Sequence, residues 1–106
     1  MKMDMNKMMR QVQEMQAQMV KAQEELAGER VEASAGGGMV RVTASGAGEI
    51  VSVSISPQAI DPDDPEMLED LVLAAVNEAL RNAQNLMQSK LGGAVGGLGG
   101  LGLPGL

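Results

Sequence analysis

The residues able to do chemistry in this chain of 106 are few in kind. There is no His, no Cys and no aromatic residue, so there is no imidazole base, no thiolate nucleophile and no soft-metal site, and catalysis would fall to Asp, Glu, Lys, Ser and Thr alone. No enzyme is expected. The densest acidic group is Asp61, Asp63, Asp64 and Glu66. Alternate acids open an EF-hand loop, but Pro62 and Pro65 break the spacing, and the turn glycine and distal glutamate are missing. The acids also lack a nucleophile to work with and suit a helix cap better, so neither a metal nor another cofactor is expected. Gly36, Gly37 and Gly38 are not followed by Lys and Ser/Thr in P-loop spacing and read as a turn. What remains is a small group of cations. Lys2, Lys7 and Arg10 outnumber Asp4 within the first ten residues of a chain whose formal net charge is −6. Residues 1–27 sum to zero, 28–60 to −1 and 61–91 to −5. Taken alone, three such cations describe a solvated helix face.

Three kinds of element must position these residues. Apolar side chains at Met1, Met5, Met8, Val12, Met15, Met19, Ala22 and Leu26 step alternately by four and three, the seam of a coiled coil, with Gln and Glu between them and Gly28 as a stop. A stripe that merely faces a core has nearly the same spacing in a short helix. Beyond Gly28 the period becomes two. Val31 and Ala33, then Val40, Val42 and Ala44, then Val51, Val53 and Ile55 alternate with polar residues across the turns Gly36–Gly38 and Gly46–Gly48. This predicts a three-stranded antiparallel meander ended by Pro57. A second amphipathic helix follows, with Asp64 as N-cap, Pro65 at its first position, and Glu66, Glu69 and Asp70 at the positive end of its dipole. The domain is expected to span residues 1–91. Residues 92–106, rich in Gly and Leu and uncharged, are expected to be a disordered tail.

The fold class is therefore α+β, with an α-β-β-β-α protomer. Without its first helix and tail the chain keeps about 65 residues, with a radius of gyration of ~11 Å and hence a width of roughly 28 Å. A helix from about residue 2 to 27 is ~39 Å long and must overhang that body. An overhanging seam and exposed sheet edges favour a homodimer. Charges within the opening residues interrupt any secretory h-region, and no apolar stretch is long enough for a bilayer helix. A cytoplasmic protein without membrane or small-molecule partners is the expectation.

The opening MMRQVQEMQAQMVKAQEELA, the region GGGMVRVTASGAGEIVSVSISP and above all DPDDPEMLEDLVLAAVNEALRNAQ resemble the YbaB/EbfC family of nucleoid-associated proteins, over about Met5 to Lys90. The resemblance implies a bacterial cytoplasmic homodimer that binds double-stranded DNA at the nucleoid, its long helices projecting from a central body like tweezers. On that footing Lys2, Lys7 and Arg10 become candidate phosphate contacts at the helix tips, and Met5, Met8, Val12, Met15, Met19, Ala22 and Leu26 a dimer or helix seam. A net acidic chain argues against strong nonspecific binding. The lack of aromatics disfavours a single-strand platform, and one Arg gives little base readout. A coiled-coil adaptor or scaffold that binds another protein through the Met-lined seam or the acidic second helix, with incidental DNA contact, is the competing reading.

Overall fold

The structure is a computed structural model of the chain, and its residues 4–94 are described. Helix α1 (Met5–Gly28) opens on Asp4, whose carboxylate accepts from the Lys7 amide at 3.2 Å. It closes where the chain turns at Gly28 and Glu29, with the Glu29 N–H returned to the Leu26 carbonyl. The Arg30 guanidinium donates to the carbonyls of Ala27 and Glu29, satisfying acceptors that the helix end leaves open.

Strands β1 (Arg30–Ala35), β2 (Val40–Ser45) and β3 (Ile50–Ile55) form the expected antiparallel meander in the order β1-β2-β3. Its first turn depends on glycine. Gly36 has φ +65°, a left-handed backbone that strains any other residue, and a Cβ there would stand 2.9 Å from a methyl of Leu71, which would have to shift. A bulge separates Thr43 from Ala44 on β2: Thr43 faces Ser52, but Ala44 faces Ile50. Val51 is thereby the extra residue. Ile50, not Val51 as the alternation predicts, shares the inner face with Val53 and Ile55, opposite Ala44, Val42 and Val40.

A 3-10 turn (Pro57–Ala59) leads to α2 (Pro65–Ala94). Asp64 caps it by accepting from the Met67 amide at 3.3 Å. The helix runs to Ala94, three residues past the expected domain end at 91. Residues 95–106, most of the expected tail, lie outside the described residues. Ala75, Ala79 and Ala83 form one fully buried ridge, set against Ala33, Val40, Val42 and Ala44 of the sheet. A helix face of methyl groups lets its backbone approach the sheet closely, which is how a core without aromatic side chains is filled.

Helix α2 lies over β1 and β2 and scarcely reaches β3. Val53 and Ile55 therefore point inward by register yet stay 46% and 37% exposed, and Leu73 on α2 is 60% exposed. Leu68, Val72, Leu73 and Val76 line an open hollow on α2, and Val53 and Ile55 stand on β3, whose outer edge is unpaired, so this flank of the body is apolar.

Candidate nucleic-acid interface

The order of contacts along α2 fixes where α1 goes. Leu71 lies at Gly36, the Asn82 amide donates to the Glu32 carbonyl, Leu86 meets Leu26 beside Gly46, and Lys90 pairs with Glu29 and Glu25. Moving forward along α2 thus moves backward through β1 into α1, and the two helices run antiparallel where they meet. Only the base of α1 is held. Ala22 and Leu26 are buried, while residues 4–21 are exposed throughout. The outcome is an arm, and the molecule measures 76 × 28 × 16 Å.

Lys90 fastens that base. Its ammonium hydrogen-bonds Glu29 and lies 3.2 Å from a Glu25 carboxylate oxygen. The bond to Glu29 raises its pKa above the ordinary lysine value, against a smaller desolvation effect and with further support from Glu25.

Two faces of the arm differ in chemistry. At about 100° per residue, the predicted seam residues Met5, Met8, Val12, Met15 and Met19 continue the line of Ala22 and Leu26, and all five are exposed. The opposite side carries Lys7, Arg10, Glu14 and Lys21. The three cations on it form no ion pair among the described residues, and Asp4, the acid nearest the tip, is engaged as the cap. Of the predicted phosphate contacts, Lys7 and Arg10 share this ridge and Lys2 lies outside the described residues. Sequence reasoning missed Lys21, although it stands two heptads from Lys7 and hence on the same face. Elsewhere the cations are occupied or scattered: Arg30 caps α1, Arg81 pairs with Glu78, and Arg41 stands on the open outer face of the sheet. The acids Asp61, Asp63, Asp64, Glu66, Glu69 and Asp70 collect around the start of α2, at the other end of that helix from the arm. Among the described residues the fold thus sorts charge by distance, with a cation-bearing face on the projecting helix.

A two-layer body of helix and three-stranded sheet with a projecting, charge-sorted helix defines a small binding protein. The chain matches the family described as the YbaB/EbfC DNA-binding family over residues 1–98, and it belongs to that family. It is 55% identical over 109 residues to a nucleoid-associated protein of Saccharopolyspora erythraea, covering 97% of this chain and 94% of that one. To a nucleoid-associated protein of Pelotomaculum thermopropionicum it is 52% identical over 95 residues, covering 90% of each. The fold is also that of an uncharacterized protein of Helicobacter pylori solved by crystallography, with a TM-score of 0.74 at 22% identity over 83% of this chain and 92% of that chain. The family is one of nucleoid-associated DNA-binding proteins rather than enzymes. Among the described residues, no helix is long and apolar enough to cross a membrane.

Proposed function

We propose that this protein is an architectural component of the cytoplasmic nucleoid, a homodimer whose two α1 arms grip duplex DNA through phosphates and without base-specific readout. The observation that carries this reading is the ridge of Lys7, Arg10 and Lys21 on an arm that none of the other described residues covers, with Lys2 adding to it in sequence. One arm offers too few cations to hold a duplex well against a body of net negative charge; two arms double them. Phosphate contacts position a protein on DNA but carry no sequence information.

The dimer contact belongs on the apolar flank of Val53, Ile55 and Leu73. A self-complementary surface beside an unpaired sheet edge is where a two-fold partner removes the most apolar area from water. Placing the contact there, rather than along the length of the seam, leaves both arms free.

Anisotropy of a labelled duplex, titrated at several salt concentrations, tests the DNA reading. With four to six phosphate contacts per dimer, log K falls against log salt with a slope of about −3.6 to −5.4. Replacing Lys7, Arg10 and Lys21 by Glu flattens that slope and weakens binding to every duplex sequence about equally. An unchanged slope in the triple variant moves the site off the arm, and absence of binding by the parent protein at low salt favours the adaptor reading instead.

A further inference from the structure

The apolar stripe of the arm takes no part in the DNA reading. Met5, Met8, Val12, Met15 and Met19 keep the four-three spacing of a coiled-coil seam over the arm, and all are at least 37% exposed. Toward its N-terminal end the stripe opens into a hollow of about 340 Å³ lined by Met5, Met8, Met9, Val12 and Gln13. The first four of these stand at i, i+3, i+4 and i+7, the diamond of side chains that receives a knob from a facing helix. We propose that the occupant is the α1 arm of a second copy of this chain, laid antiparallel along the stripe.

The base of the arm sets the direction. There α2 packs on α1, Ala22 and Leu26 are buried, and Lys90 meets Glu25 and Glu29. A parallel partner would bring its own α2 to the same place, crowding two helix ends into one seam. An antiparallel partner keeps the two bodies at opposite ends, runs in the same direction as α2, and takes up the seam where α2 leaves it. With a positions set against d positions, Met8 then faces Met19 of the second copy and Val12 faces its Met15, within a stripe ~21 Å long. Met19 of the second copy is the knob that enters the hollow.

The rim of the stripe favours a copy over a foreign helix. Met9, Gln11, Gln16 and Gln18 flank the seam along the arm, with Asp4 and Glu25 at its two ends. Both acids are engaged, Asp4 as the cap of α1 and Glu25 with Lys90. A foreign partner is selected by opposite charges at the flanking positions, and between those ends this rim has none. Identical chains meet there without like-charge repulsion, and Gln11 beside Gln18 of the second copy can both donate and accept. Lys7, Arg10 and Lys21 lie off the seam and stay open when two arms pair. Thioethers make an adaptable, weakly specifying contact, so arms pair at high protein concentration, and the pairing does not depend on the flank of Val53, Ile55 and Leu73.

The chain has no cysteine, so single cysteines report on the pairing. Full-length Met8→Cys and Met19→Cys proteins, one of them isotope-labelled, are mixed at high concentration and oxidised, and the products are weighed intact. The mixed disulfide is expected to exceed the about twofold excess that random pairing gives over each self-paired bond, because like positions lie ~16 Å apart in this register, beyond disulfide reach. A mixture of Glu14→Cys and Ala17→Cys, off the seam, is expected to show no such excess. A second measurement leaves the methionines in place. In the Leu73→Glu background, which reads the arm whatever the flank does, average mass in sedimentation should rise with concentration, and adding Val12→Glu, at a position 54% exposed, should abolish the rise without loss of helix content. Self-paired bonds in excess, an equal excess from the control pair, or a mass that stays flat overturns the proposal. A flat mass together with weakened DNA binding by Val12→Glu overturns it in favour of the duplex as occupant.

Discussion

Lys90 shows how one side chain sets the pose of a whole helix. It ties α2 to α1 where the two meet, and both of its acidic partners, Glu25 and Glu29, belong to the end of α1 or the turn just after it. Lys90→Met is expected to lower the melting temperature and to loosen α1 at its base, seen as faster amide exchange around Ala22 and Leu26. The pH dependence has a definite sign. The ammonium's pKa is raised above 10.5 in the folded protein, so the stabilisation is complete below that pH and is lost as pH climbs through the higher folded value. The melting-temperature gap between the parent and Lys90→Met should therefore hold from neutral pH to about the lysine range and close only above it. Gly46 is the second decisive residue. A Cβ there would lie 2.7 Å from the Leu26 carbonyl oxygen and 3.2 Å from a Leu86 methyl, so Gly46→Ala should cost about 1–3 kcal/mol in denaturant unfolding. Gly28 has open space around its Cβ position and no left-handed backbone. Gly28→Ala should be neutral or stabilise by up to about 1 kcal/mol.

Among the elements, α1 is two helices in one. From Ala22 onward it is a packed part of the body, and before that it is an arm. Leu26 is 1% exposed, and Leu26→Ala should cost about 2–4 kcal/mol of unfolding free energy by removing a buried side chain. Met15→Ala, on the same stripe but in the arm, should stay within about 0.5 kcal/mol. Equal effects in thermal or denaturant unfolding would mean that the arm is packed along its whole length. The four-three spacing that runs from Met5 to Leu26 is uniform, so the sequence carries the stripe but no mark of where burial ends. That point depends on the length of α2 and on its being antiparallel to α1, both of which are long-range facts. The meander was legible because each strand alternates on its own and its turns are marked by glycine. The bulge at Val51 was not, because it arises from how Thr43 and Ala44 pair across strands.

For the whole molecule, asymmetry of cover matters most. One helix over three strands leaves β3 half bare, and a chain with 44% hydrophobic residues and no aromatic ring closes that gap most readily by association. Leu73→Glu should convert the proposed dimer into a folded monomer of 11.0 kDa with unchanged helix content, because Leu73 is exposed in the protomer and tolerates the charge. Sedimentation equilibrium alongside circular dichroism checks both halves. The same variant should also weaken DNA binding, since it separates the two arms.

The sequence by itself determined the elements, their order and the lack of imidazole, thiol and aromatic side chains, because periodicity, caps and composition are local properties. Asp64 before Pro65, the stop at Gly28 and the alternation through Val40 and Val42 need no knowledge of the rest of the chain. Resemblance in LEDL and AAVNEA, carried by the same local stretches, pointed to the family. Only the tertiary structure decided which part of the α1 stripe is buried, which of the Lys and Arg residues are already engaged, and that the face carrying Lys7, Arg10 and Lys21 is left open by the other described residues. Those facts follow from α2 packing antiparallel on β1 and meeting α1 only at its base, and no local pattern encodes where two distant helices stop touching.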